Sequence, residues 1–295
     1  MEFKRRIMST YGTIPIKRTR EADILRSIPV SNFGKKLKTQ IKTDSVFNGH
    51  EHAMGYVKGE YYGANATLNV WAPNVTNQIE FSLSQIWVMT DIPGHSMNTV
   101  EAGWQVSPSI CGDNSPRLFI YWTSDGYRNG CYNLLCSGFV QTNSEIALGA
   151  AIDPISTYNG QQYDINLLIW KDPNSKDWWL KVGSSLVGYW PTSLFTDLRE
   201  HTTLIEFGGE VYNSQSPGLN TSTQMGSGHF PDEGFGKASY IRNVEVVDGE
   251  NTLNPVSNVN LFAEKPNCYD VTSAFTHDWG NHIYFGGPGK NPKCP

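Results

Sequence analysis

LIEFGGEVY, from Leu204 to Tyr212, sets two carboxylates and two adjacent glycines into an otherwise apolar run. Side chains of a β-strand alternate between two faces, so Leu204, Glu206, Gly208, Glu210 and Tyr212 share one side and Ile205, Phe207, Gly209 and Val211 the other. The second set suits a core; the first is a carboxylate face. Glycine inside a strand marks a bulge or a close approach of another backbone or a ligand. A bulge at Gly208–Gly209 would break the parity and turn Glu206 away from Glu210. VEAGWQV, from Val100 to Val106, has the same pattern, with Glu101, Gly103 and Gln105 alternating against Val100, Ala102, Trp104 and Val106. Two such strands in one sheet would bring two glutamates together.

Outward from these two, further strand candidates are MGYVKGEYYG, ATLNVWAP, IEFSLSQIWVM, RLFIYWTS, QYDINLLIWK, WWLKVGSSLVGYW, SYIRNVEVVD and VNLFAE. They recur at roughly ten-residue spacing with Gly, Pro, Asn or Asp between them, the pattern of a sandwich or barrel. One helix is predicted over Pro191–Glu200, where Pro sits near the first helical position and Leu194, Phe195 and Leu198 follow three-and-four spacing. The expected fold is all-β: an antiparallel sandwich of two stacked, curved sheets with one short helix. No break in composition follows residue 50, so we divide the chain into a basic amino-terminal segment, 1–49, and one domain, 50–295.

The formal net charge of −5 hides an asymmetry. Residues 1–42 carry 11 Lys and Arg against three Asp and Glu, leaving 12 basic and 25 acidic residues in the body. A basic arm can bind nucleic acid, but no aromatic interleaving supports that here, and docking on its own acidic body explains the same asymmetry. Within the arm, TREADILRSI favours a helix capped by Thr19. Nothing in the sequence spans a membrane, and nucleic acid and membrane are excluded as partners. The chain is expected to be a monomer.

Five cysteines, at 111, 131, 136, 268 and 294, have no paired CxxC spacing for a metal. Two disulfides and one spare thiol fit better: Cys131 and Cys136 bracket a short loop, and Cys268 with Cys294 would tie the last segment to itself. Sequons at Asn65, Asn74 and Asn220 would be glycosylated only in a secretory compartment. The amino terminus lacks the apolar run of a signal peptide, so a longer precursor is expected.

Several other motifs invite chemistry and are set aside. In GHEH, His50 and His52 would share a strand face with no third ligand in sight, so a surface loop entering the first strand is preferred over zinc. Asp113, Ser107 and the histidines form no triad spacing. Cys111 is taken as a leftover thiol. MGSGHFPDEGFG, from Met225 to Gly236, lacks a phosphate loop's strand–glycine–helix context and is expected to be an irregular loop near a binding cleft. The strand carboxylates remain. Two carboxylates sharing a site cannot both ionise easily, so one holds a proton while the other acts as base. Parity alone does not choose between Glu206 and Glu210 as the partner of Glu101; the paired glycines before Glu210, where a bulge could turn its carboxylate into the cleft, favour Glu210.

GTIPIKRTR (Gly12–Arg20), ANATLNVWAP, FSLSQIWV, EAGWQVSP, CYNLLCSGF, WKDPNSKDWWL, GYWP, EFGGEVYN, STQMGSGHFPDEGFGKASY and DWGNHIYFGGPGKNPKCP cover nearly the whole chain. Together they resemble the plant neprosin family. That resemblance implies a secreted glutamic endopeptidase that cleaves after proline at acid pH and is made with an activation peptide. It implies Glu101 in EAGW and Glu210 in GGEV as the catalytic pair, and disulfides Cys131–Cys136 and Cys268–Cys294, with Cys111 outside the pattern. It implies no metal and no cofactor, a proline-containing peptide as substrate, and the chain's own amino-terminal segment as an internal partner. A glycoside hydrolase, or a carbohydrate-binding module in which the carboxylates are incidental, are the alternatives.

Overall fold

The alternation in LIEFGGEVY becomes a long strand, β13 (Thr202–Tyr212), near the middle of a seven-stranded antiparallel sheet. The computed structural model describes residues 2–3, 13–26, 34–36 and 49–295. Across that sheet the order is β16 (Asn260–Ala263), β2 (His50–Tyr61), β13, β4 (Phe81–Met89), β5 (Thr99–Val106), β6 (Arg117–Thr123) and β7 (Gly130–Tyr132). The second sheet runs β17 (Asp270–Thr276), β18 (Gly280–Gly286), β14 (Ser239–Val247), β3 (Gly63–Asn69), β10 (Asp164–Lys171), β11 (Trp178–Val182), β12 (Ser185–Trp190) and β8 (Val140–Gln141), with β15 (Leu253–Pro255) beside β14. A minor pair joins β1 (Glu2–Phe3) to β9 (Ile152–Asp153).

The two sheets stack to enclose one core. Ile205, Phe207 and Val211 of β13 meet Val100, Ala102 and Trp104 of β5 and, from the facing sheet, Ala66, Leu68, Leu167 and Ile169. Trp104 is fully buried and its Nε1 donates to the Asn69 carbonyl at 2.8 Å, which ties one sheet to the other and satisfies the indole. The core-facing parity read from the sequence is thus the observed one, and the fold is the expected antiparallel sandwich.

The helix predicted over Pro191–Glu200 is absent. Two 3₁₀ turns, Thr192–Leu194 and Asp197–Arg199, take its place. Asn98 Oδ1 accepts the backbone N–H groups of Thr196 and Asp197 at 2.9 Å each and of Leu198 at 3.3 Å, which withdraws the donors that helical bonds would use. Among the described residues the α-helices are α1 (Glu21–Leu25), in the basic arm, and α2 (Pro108–Cys111). The cap of α1 falls on Arg20 rather than Thr19, because the Asp23 carboxylate accepts the Arg20 N–H at 2.8 Å.

Cys131 is bonded to Cys136 and Cys268 to Cys294, while Cys111 is free and half-buried. Two formed disulfides fit an oxidising, extracellular setting. No helix among the described residues is long and apolar enough to cross a membrane.

Candidate active site

The outward face of the seven-stranded sheet, opposite the core, carries the glutamates. Strand register fixes their relation. Glu206, Trp87 and Glu101 stand in one cross-strand row, Gly208, Gln85 and Gly103 in the next, and Glu210, Leu83 and Gln105 in a third. Pairing runs unbroken from Leu204 to Tyr212 against both neighbours, so of the two readings of Gly208–Gly209 the bulge does not form, and Glu206 and Glu210 share a face. The glycines serve close approach instead. A Cβ on Gly103 would lie 2.0 Å from the Ser84 carbonyl and one on Gly208 2.5 Å from that of Ala53, so the row beside Gln85 has no room for side chains.

Glu101 is fully buried and accepts three hydrogen bonds: from Gln85 Nε2 at 2.9 Å, from Thr99 Oγ1 at 2.8 Å and from the Tyr127 hydroxyl at 3.1 Å. Gln85 Oε1 is buried with no hydrogen-bond partner among the described residues. Glu210 is also fully buried. His50 Nδ1 donates to its Oε1 at 2.5 Å, and His52 Nε2 stands 3.9 Å from its Oε2. Register explains the contacts, since His52 pairs with Glu210 and His50 with Tyr212 across β2 and β13.

Between the two carboxylates lies a residue from the basic arm. Lys36 Nζ donates to Glu210 Oε2 at 2.9 Å and sits 3.6 Å from Glu101 Oε2, with only 5% of its side chain exposed. One ammonium therefore reaches both glutamates. It also lies 5.0 Å from the ring centre of Tyr127 and 6.0 Å from that of Tyr121. Just before it, the Gly34 carbonyl accepts the Tyr132 N–H at 2.8 Å, holding the segment across the face.

The charges shift one another. Burial pushes the Glu210 carboxyl up, but Lys36, the His50 hydrogen bond and His52 outweigh it and hold it far below the usual range. Burial depresses Lys36, yet Glu101 and Glu210 raise it well above its ordinary value. Glu206 goes the other way: burial, with lesser repulsion from Glu101 and Glu210 and relief from His52, lifts it to about 7. A carboxyl whose folded pKa exceeds its unfolded value binds more protons folded than unfolded between the two, so it lowers stability as pH rises from about 4.5 to 7. Wild type should lose about 1–3 kcal/mol more than Glu206→Gln over that interval in denaturant titrations. Parallel losses in the two proteins would refute the shift.

The other sequence candidates lie elsewhere or do structural work. Asp113 pairs with Arg117 at 2.5 Å, and Ser107 precedes α2. The loop Met225–Gly236 does not border the glutamates: Met225 is buried in the core near Gly209, on the opposite face of β13, because the apolar Met is drawn between the sheets. Asn65 is 9% exposed in β3 and its Nδ2 donates to Glu245 at 2.8 Å, so a glycan there would require opening the sheet. Asn74 is exposed, whereas Asn220 is partly buried, accepting from Lys265 at 2.8 Å. His50 and His52 are not in a surface loop but on β2 beside Glu210. Their shared strand face was the signal, and only the partner strand shows what they face. No cluster of three or more metal-ligating side chains occurs among the described residues.

The Neprosin family model matches residues 78–288, which take in both glutamate strands. The chain belongs to the Neprosin family. Solved structures similar to it include Scytalido-glutamic peptidase with a peptide-based transition state analog, at 10% identity over 81% of this chain and 98% of that one, TM-score 0.42. SCP-B, a member of the Eqolisin family of peptidases in complex with the tripeptide Ala-Ile-His, is 9% identical over 81% and 98%, TM-score 0.41. CG-16, a homodimeric agglutinin from chicken liver, is 9% identical over 53% and 92%, TM-score 0.28. At such TM-scores these likenesses carry no argument about the site, and membership of the family rests on the family match.

Proposed function

We propose that the chain is a secreted glutamic endopeptidase that cleaves after proline at acid pH, with Glu101 and Glu210 as its catalytic pair. Family membership supports a peptidase of the glutamic type, and one observation carries the pair: a single ammonium reaches both carboxylates in a buried site. Where one cation bridges two carboxylates, one shared proton can stand in its place, leaving one acid and one base. The ionised glutamate takes a proton from water as it attacks the scissile carbonyl. Its protonated partner donates a hydrogen bond to the carbonyl oxygen and later supplies the proton for the departing amine. Gln85, Thr99 and Tyr127 orient Glu101 for that role. No step needs a metal or cofactor.

Lys36 gives the basic arm its function under this reading. Residues 1–49 are an activation segment whose lysine occupies the place of the shared proton and keeps domain 50–295 latent. The cut that would release it, expected before about residue 50, falls mostly outside the described residues. Tyr121, Tyr127 and Tyr132, which surround the lysine, are then placed to receive the substrate's proline ring.

Acid-incubated protein, assayed on a peptide with one internal proline and on a panel of β-glucans at pH ~3–5 where one carboxyl of a pair stays protonated, should cut the peptide alone, on the carboxyl side of proline. Glucan cleavage with an intact peptide would replace the proposal with a glycosidase.

A further inference from the structure

The two-glutamate reading leaves open which carboxyl is the base, and the surroundings of the two differ. Among the described residues Glu101 is met by neutral donors apart from Lys36: an amide, a hydroxyl and a phenol. Glu210 is met by two imidazoles from one strand. His50 Nδ1 is on Oε1 and His52 Nε2 is near Oε2, so each oxygen has its own histidine. Behind His52 stands a third carboxylate. Glu264 Oε2 accepts the His52 backbone N–H at 3.0 Å and lies 3.4 Å from His52 Nδ1, while the Glu264 N–H donates to the His52 carbonyl at 3.2 Å. A carboxylate on Nδ1 fixes which ring nitrogen points away, and here Nε2 points at Glu210.

We propose that His50 and His52, the latter set by Glu264, are positioning residues that make Glu210 the general base and leave Glu101 to carry the proton. The proposal rests on the glutamic-peptidase reading and deepens it. After Lys36 has left, both imidazoles still stand against Glu210 and, among the described residues, neither reaches Glu101. Glu264 and Glu210 together raise His52 against the opposing effect of its burial, which keeps His52 cationic towards neutrality.

The remaining titratable groups around Glu210 do not supply this asymmetry. On its own strand Glu206, lifted to about 7, is neutral in acid, and Tyr212 is a phenol raised by burial. Glu101 faces it from β5, and Tyr127 and Tyr132, both pushed up by burial, stay neutral. From β4 the row partner is Leu83, which carries no charge. Among the described residues Lys36 also reaches Glu210, and it belongs to the segment that leaves under this reading.

The test is the pH dependence of kcat/KM on a proline peptide for acid-incubated wild type and for His50→Gln, His52→Gln, His52→Lys and Glu264→Gln. Loss of a cation at this range raises a carboxyl by about one pH unit or more. The acid limb, where the base protonates, should therefore move up by about that much in His50→Gln and His52→Gln. It should stay put in His52→Lys, which keeps a cation, and move less in Glu264→Gln, which touches Glu210 only through His52. A purely structural role would lower the curve without moving it, and an unmoved acid limb in both Gln variants overturns the proposal. Should either variant fail to fold, the half-exposed Glu264→Gln and the charge-keeping His52→Lys still decide by the same limb. Absence of peptide cleavage in wild type would instead overturn the peptidase reading beneath it.

Discussion

Glu101→Gln and Glu210→Gln should each lower turnover of a proline peptide by roughly 10²-fold or more, the loss expected when a general acid or base is removed. Both substitutions keep the side chain's shape and one acceptor oxygen, so circular dichroism should show the sandwich folded. Glu206→Gln should change turnover little, although it lies on the same face. Trp87 stands between Glu206 and Glu101 in their cross-strand row, and Lys36 bridges Glu101 and Glu210 rather than Glu206. A carboxyl lifted to about 7 is also protonated throughout the acid range and cannot serve there as base. An inactive Glu206→Gln beside a near-wild-type Glu210→Gln would reverse the assignment.

Lys36→Ala in the full chain should raise basal peptidase activity at least tenfold over wild type without any cut in the chain. The native lysine ion-pairs with two buried carboxylates, and removing one partner of such a cluster costs about 3–5 kcal/mol locally. That penalty is relieved if the segment leaves the face, because the carboxylates are then hydrated. Acid acts in the same direction. A carboxyl held below its unfolded pKa contributes stability above about pH 4.5 that is lost as pH falls towards the folded value, so the Lys36–Glu210 contact weakens progressively in acid. Incubation at pH ~3–4, where this loss is under way, should yield a shortened amino terminus and active protein. Full activity in a chain that keeps Met1 and Lys36 would contradict the latency account.

The parity of LIEFGGEVY was legible because one face must be apolar to enter the core: Ile205, Phe207 and Val211 allow a single choice. The same reasoning placed Glu101 opposite Trp104 on β5. What parity could not supply was the neighbour. Lys36 and Glu210 are 174 residues apart in sequence, and nothing near either one indicates the other. His50 and His52 were misread for a related reason, since a pair of histidines on a strand has meaning only through the strand beside it. The glycine pair was ambiguous between bulge and close approach, and close packing against the Ala53 and Met54 backbone decided it. Local spacing over Pro191–Glu200 favoured a helix, but one distant side chain, Asn98, captured three of its N–H groups.

Whether Glu101 and Glu210 form one catalytic unit is tested most directly by kcat/KM for Glu101→Gln, Glu210→Gln and the double variant on a single proline peptide. Members of one unit are not additive, because removing either already removes the shared proton. The double variant should be within a few-fold of the worse single one. Losses that multiply, or full activity in Glu101→Gln, would contradict a two-glutamate centre.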